Sequence, residues 1–279
     1  MRLVSLRDPG GEHRVGRLEG ERVILLAAVD MVAWLCGEGR GESGESLPLA
    51  EVELLAPLPE PRSFRDFYAF EGHVATGYKR RGGSVPEAWY EAPSFYFSNP
   101  ASIVGPEQPV RAPSTSTMLD FELEIAAVID AAGEIAGFTL LNDWSARDIQ
   151  RREMTVGLGP AKGKDFATSL GPWLASPDEL PISDGRLQLE ATVTVNDREL
   201  SRADAAEQYF SWPELLAQAG RDTRLRAGDL LGSGTLNRGC LLELGPLEDE
   251  PGSEGRYLQA GDVVELAAEG LGTLRTPIA

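Results

Sequence analysis

A β-rich mixed α+β fold is predicted for this 279-residue chain, with a small N-terminal β-rich module over residues 1–60 and a main domain over residues 61–279. Three observations predict it. Short alternating apolar runs bounded by Gly, Pro, Asn and Asp recur along the chain; few helical periods separate them; and no fixed-period repeat is present. At this length a full hydrophobic core forms without staples.

In the N-terminal module, strands are expected at Arg2–Leu6, Arg14–Leu18 and Arg22–Ala28, with turns at Asp8-Pro9-Gly10-Gly11 and Glu19-Gly20-Glu21. A short helix over Asp30–Cys36 precedes a polar loop from Gly37 to Ser46, and His13 reads as a surface residue. The main domain opens with Phe64–Val74, which as a helix would place Asp66, Phe70, His73 and Gly77 near one face, although Gly72 counts against it. Lys79, Arg80 and Arg81 suit a helix C-terminus, and Gly82-Gly83 ends it. Pro86–Pro93 reads as an irregular aromatic loop and Ser94–Asn99 as a strand.

The stretch Leu119–Ile129 organises the rest of the main domain. As a strand it points Phe121, Leu123 and Ile125 one way and Asp120, Glu122 and Glu124 the other. Neighbours on one strand face lie about 7 Å apart, so these carboxylates repel unless a cation or a proton relieves them. Spacing alone leaves two readings open: ligands for a hard divalent ion, or the solvated acidic face of an edge strand. A second strand, Ile135–Leu141, ends at Asn142-Asp143, and Ser145 with Asp148 has the spacing of a capping box for a helix through about Glu153. Asp143 thus sits at a strand-to-helix junction.

Two glycine-rich stretches fail as phosphate loops. From Gly157 to Gly163 the spacing is one step too long, and Asp165 stands where a Ser or Thr should be. Gly232-Ser233-Gly234-Thr235 is followed by an expected strand, Cys240–Leu244, instead of the helix that a dinucleotide fold requires. The remaining C-terminal elements are strands at Gln188–Val195, Glu199–Leu200, Leu230–Leu231 and Val263–Ala267, an Asn196-Asp197 turn, and a helix at Trp212–Ala219.

Composition narrows function. A net charge of −18 is the opposite of a nucleic-acid footprint. Two cysteines, Cys36 and Cys240, are too few for a disulfide framework and read as buried small residues of a protein in a reducing, cytoplasmic setting. No apolar window is long enough for a membrane span, and no signal-peptide pattern opens the chain, so neither a membrane nor a secretory route is expected.

Several separated motifs then coincide: Asp66-Phe67-Tyr68 with His73, Asp120-Phe121-Glu122-Leu123-Glu124, Asn142-Asp143-Trp144-Ser145-Ala146-Arg147-Asp148-Ile149-Gln150, Gly163-Lys164-Asp165-Phe166, and Gly232–Thr235 with Leu242-Glu243-Leu244. In this order and spacing the sequence resembles the fumarylacetoacetate hydrolase family, in its fumarylacetoacetase-like branch, from about Phe64 to the C-terminus. The resemblance implies a β-roll or β-sandwich domain holding one divalent cation (Mg²⁺, Mn²⁺ or Ca²⁺) and no organic cofactor. Its ligands would be Asp66, Glu122, Glu124 and Asp143. It implies His73 with Glu243 as a water-activating pair and Lys164 as a charge stabiliser. Tyr68, Tyr96, Gln150 and Thr235 would contact the substrate, and Thr168 would lie where a second, structural cation has been placed. A homodimer is implied as well.

Those roles suit hydrolysis of the C–C bond between two carbonyls of a β-diketo acid, of acylpyruvate or fumarylacetoacetate type. Such cleavage needs an activated water, a base and a sink for the departing carbanion. Each residue also has an ordinary role to weigh: His73 structural, Glu243 exposed on a half-buried strand, Lys164 in a solvated loop, Gln150 on an exposed helix face, Tyr68 and Tyr96 in the core. Two departures point to a different or smaller substrate. Gly82 falls near the position of the substrate-binding arginine of animal members, with Arg80 and Arg81 only close to it, and Met154 replaces a substrate-contacting aromatic. The rival functions are a metal-dependent lyase or isomerase (decarboxylase or dehydratase) of a 2-oxo acid on the same site, and a metal-binding protein without turnover.

Overall fold

The structure is a computed structural model and describes residues 1–249 and 255–279. A twelve-stranded mixed sheet forms its frame. At one end the N-terminal strands Arg2–Arg7, His13–Glu19, Arg22–Leu26 and Glu42–Pro48 form an antiparallel meander. Arg2–Arg7 then pairs with Thr168–Ala175, and the order continues through Ile135–Asp143, Leu123–Ile129, Asp229–Gly232 and Ser63–Phe67 to Phe95–Phe97. The N-terminal strands and those that carry the acidic residues therefore belong to one sheet. A separate four-stranded antiparallel sheet, ordered Arg198–Asp204, Glu190–Val195, Val263–Ala268 and Gly272–Pro277, packs over it.

The central strand explains the architecture. Leu123, Ile125, Ala127 and Ile129 join Val193, Leu266 and Leu274 in the core between the two sheets. Ala126 and Val128, of opposite parity, join Leu3, Met31, Leu35 and Phe64 in a second core under the short helix Met31–Leu35. A strand covered on both faces must be apolar at both parities, which is why the run reads as nearly continuous hydrophobics. Glu122 and Glu124 share the parity of Ala126 and Val128, so their carboxylates sit inside the protein.

Several expectations need correction. The acidic stretch is not an edge strand; Asp120, Glu122 and Glu124 are 0, 3 and 1% exposed. It is also interrupted: Leu119–Asp120 pairs with Ser145–Ala146, and the ladder resumes at Leu123. Phe64–Val74 is not one helix. Ser63–Phe67 is a strand lying parallel to Asp229–Gly232, and the helix spans Glu71–Arg80, because a short apolar run carries no decisive period of its own. Gly72 sits in its first turn because a Cβ there would lie 2.5 Å from the Asn237 side-chain oxygen.

Residues 42–48 form a strand in place of the expected loop. Its solvent-facing edge position makes it polar. Pro86–Pro93 contains the helical turn Glu87–Glu91, pinned by Trp89 donating from Nε1 to the Tyr68 carbonyl at 2.9 Å. The capping box does not form: the Ser145 hydroxyl donates to the Asp143 carbonyl, while Asp148 accepts from Ser116 and Thr117 ahead of the helix Arg147–Met154. Cys240–Leu244 is no strand; Leu241–Leu244 is a helical turn whose first amides, on Leu241 and Leu242, donate to Asp120 at 2.7 and 3.0 Å. Cys36 is exposed, and only Cys240 is buried.

Ile125 is 2% exposed at the middle of the central strand. Ile125→Ala should lower stability by about 2–5 kcal/mol, read as a lower urea midpoint at unchanged slope.

Candidate active site

Three elements deliver the acidic centre. Asp66 comes from the strand Ser63–Phe67, Glu124 from Leu123–Ile129, and Asp143 from the end of Ile135–Asp143. One oxygen from each of the three carboxylates lies within 4.8 Å of the others, and all three residues are buried. Gly232, on the strand beside Asp66, makes this approach possible: a Cβ there would lie 2.3 Å from Asp66 Oδ1 and 3.1 Å from Glu124 Oε2. Gly234 has φ +78°, and a Cβ would lie 2.4 Å from the Phe67 carbonyl; its amide donates to Glu124 Oε2 at 3.1 Å. The Thr235 hydroxyl reaches Glu124 Oε1 at 3.4 Å.

Glu122 faces the cations instead of joining that group. Lys164 Nζ contacts both Glu122 and Asp143, and Arg147 Nη1 lies 2.7 Å from Glu122 Oε1. Arg147 also donates from Nε to Asp120 at 2.7 Å and from Nη1 to Gln150 Oε1 at 3.0 Å. The Tyr96 hydroxyl donates to Asp143 Oδ2 at 2.7 Å. Lys164 is 5% exposed, which removes the solvated-loop reading. Thr168 lies opposite Asp143 in the strand register and is buried.

The electrostatics follow from this placement. Burial pushes the Asp66 and Glu124 carboxyls well above the usual carboxylate range, reinforced by Asp143 at the first and by Asp66 at the second. At Glu122 burial acts in the same sense, but Arg147, Lys164 and His73 together outweigh it and hold that carboxyl below the usual range. Burial would also strip Lys164 of its proton; Asp143 and Glu122 more than reverse this, so the ammonium is held charged.

Beside the acids, His73 Nδ1 lies 2.9 Å from Glu243 Oε2, with side chains only 6 and 5% exposed. The His73 amide donates to Asn237 Oδ1 at 3.0 Å, and the Tyr68 ring meets the imidazole edge-on at 5.5 Å. Burial pushes the Tyr68 phenol up to about 12, while Arg81, which hydrogen-bonds it, acts the other way. Arg81, whose guanidinium also stacks over Tyr78 at 4.7 Å, thus brings a cation to this rim even though Gly82 occupies the aligned position. Arg147, Asn237 and Gly232 carried no expected role. Arg147 had a signal, as the one cation between Asp143 and Asp148; the other two act through contacts across the fold that spacing does not encode.

A sheet-borne acidic centre with an adjoining buried His–Glu pair and lysine defines an enzyme site. Residues 62–279 match the family described as Fumarylacetoacetate (FAA) hydrolase C-terminal, and residues 1–57 match the one described as Rv2993c-like, N-terminal. The chain belongs to the fumarylacetoacetate hydrolase family and has its β-rich fold. A fumarylacetoacetase of Oryza sativa subsp. japonica is 28% identical over 290 residues, covering 80% of this chain and 67% of the relative. The oxaloacetate tautomerase YisK of Bacillus subtilis is 27% identical, with 82% of this chain and 74% of the relative covered. Among solved structures, the 5-carboxymethyl-2-hydroxymuconate delta-isomerase of Mycobacterium smegmatis superposes with a TM-score of 0.75 at 26% identity, over 100% of this chain and 99% of that one. Family membership thus spans hydrolases, a tautomerase and isomerases.

Enzymes of the family use a divalent metal, and the residues present fit one. Asp66 Oδ1 and Asp143 Oδ1 are buried without a partner, and the donors are all oxygens, which suits a hard cation. Gly232→Ala should weaken binding of Mg²⁺ or Mn²⁺ roughly tenfold or more, measured by calorimetric titration, with circular dichroism unchanged.

The raised carboxyls give a second expectation. Without metal, folding takes up protons at Asp66 and Glu124, so their contribution is full in acid and is lost as pH rises above the ordinary carboxylate range; Glu122 acts oppositely, losing its contribution as pH falls below that range. The Tm of chelator-treated protein should therefore fall between about pH 5 and pH 8, and Mg²⁺ should raise it most at the upper end.

Proposed function

We propose that this enzyme hydrolyses the C–C bond of a β-diketo acid, of acylpyruvate or fumarylacetoacetate type, with one divalent cation held by Asp66, Glu124 and Asp143. The observation that supports it most is the buried His73–Glu243 pair. With Glu243 accepting the Nδ1 proton, the neutral imidazole keeps Nε2 free to take a proton from water. A tautomerase or isomerase moves a proton within one molecule and has no use for an activated water.

The chemistry can be assigned residue by residue. The cation supplies Lewis acidity at the substrate oxygens. His73 Nε2 removes the water proton as the oxygen attacks the carbonyl, and Glu243 stabilises the imidazolium that forms. Lys164, held charged among Glu122 and Asp143, offsets negative charge on the tetrahedral intermediate. When the C–C bond breaks, the electron pair leaves with the second carbonyl fragment as an enolate, and the proton on His73 is available to neutralise it. Tyr96 and Thr235 fix Asp143 and Glu124, and Arg81 at the Tyr68 rim gives a substrate carboxylate a counter-charge. A cavity of about 230 Å³, lined in part by Tyr96, Phe97, Pro160 and Lys164, is of a size for a small acid.

We also propose action in the cytoplasm as a homodimer, without nucleic-acid or membrane partners. Phe97, which lines that cavity, and Val156 and Leu158, at 68, 78 and 89% exposed, support self-association.

Chelator-stripped protein should regain hydrolysis of acetylpyruvate, fumarylpyruvate or fumarylacetoacetate when Mg²⁺ or Mn²⁺ is restored, with two acids formed and no CO₂. His73→Ala should lower the rate by roughly 10²–10⁴. Full activity in that variant would overturn the role of His73, and CO₂ from oxaloacetate alone would place the enzyme among the lyases.

A further inference from the structure

The reaction leaves one buried nucleophile unused. Cys240 Sγ lies 3.8 Å from His73 Nδ1 and 3.5 Å from Glu243 Oε2, and those two atoms are 2.9 Å apart. Zinc bonds of about 2.0–2.3 Å at tetrahedral angles hold such sulfur, nitrogen and oxygen donors roughly 3.4–3.6 Å from one another. The triangle already present therefore needs adjustments of only a few tenths of an ångström. Its two sides come from separate elements. Cys240 and Glu243 belong to one helical turn, while His73 projects from the helix Glu71–Arg80. Among the described residues, these three form one of two groups able to hold a metal, the other being the all-oxygen centre of Asp66, Glu124 and Asp143.

We propose that His73, Cys240 and Glu243 form a second metal site, for a thiophilic divalent ion of the zinc type, whose occupancy inhibits the enzyme. Donor chemistry sorts the ions: thiolate and imidazole favour Zn²⁺ or Co²⁺, while carboxylates alone suit Mg²⁺. Binding replaces the thiol proton of Cys240, which leaves to solvent, while the single proton of the neutral His73 ring moves from Nδ1 to Nε2 as Nδ1 takes the metal; no oxidation state changes. The inhibitory consequence rests on the reading of His73 as the base. With metal on Nδ1, the neutral ring carries its proton on Nε2, which then has no lone pair for a water proton. Glu243 is withdrawn from the pair at the same time.

The test uses the full chain with Cys36→Ser, which leaves Cys240 as the sole thiol, in excess Mg²⁺ to fill the acidic centre. Titration with Co²⁺ should produce a thiolate-to-cobalt charge-transfer band in the near ultraviolet, saturating at one equivalent and abolished by added Zn²⁺. Absence of that band overturns the site, with no further variant needed. The added variant Cys240→Ala, or Cys240→Ser should the first not fold, should remove the band and weaken zinc inhibition of diketo-acid hydrolysis at least tenfold. A cobalt band without zinc inhibition would uphold the site and overturn the role of His73 as base.

Discussion

The structure depends on keeping five carboxylates out of water with too few cations beside them. Asp66, Asp120, Glu122, Glu124 and Asp143 are at most 3% exposed, and the buried cations against them are Arg147 and Lys164. Arg147 satisfies Asp120 and one side of Glu122, and the amides of Leu241 and Leu242 complete Asp120. Removing one member of such a buried set leaves a charge uncompensated, at a cost of about 3–5 kcal/mol. Lys164 bridges Glu122 and Asp143, and the excess charge falls on Asp66 and Glu124. Their remedy is a proton or a divalent ion, so metal affinity and apo stability are two faces of one imbalance.

The same turn of chain ties the two halves of the site together. Asp120 caps the amides of the turn Leu241–Leu244, and that turn carries Glu243 to His73. Cys240 is bridged to Glu122 across the backbone. The geometry of the His–Glu pair is therefore set by the acidic stretch as well as by its own helix. Any ion that captured Cys240 would act on a segment already fastened to the acidic centre.

Parity and order along the chain make much of this legible in the sequence. Alternation around Leu123 places Glu122 and Glu124 on one side, and the separated motifs carry the resemblance that points to Asp66, His73, Lys164 and Glu243. What spacing does not reveal is burial. An acidic face looks the same whether water or protein covers it, and only the second core, with Leu3 supplied from the first strand and Met31 from the short helix after the N-terminal strands, decides the matter. Ser63–Phe67 escapes as a strand because two strand periods and one helical turn can match the same few apolar residues. Arg81 escapes because a long side chain near a helix end reaches Tyr68 from a position one residue off the expected register.

Chemistry within this family turns on what stands beside a shared centre. An acidic cluster that polarises a 2-oxo acid serves hydrolysis, isomerisation and tautomerisation alike, because each passes through a stabilised enolate. Hydrolysis alone needs a base whose proton comes from water, placed so that substrate does not displace it. Here His73 is held at three places: its amide by Asn237, its Nδ1 by Glu243 with Cys240 beside the same atom, and its ring by the edge-on Tyr68. On the hydrolase reading proposed above, a ring held at its amide, at Nδ1 and along its edge keeps Nε2 in one place, where it can meet a fresh water in each turnover.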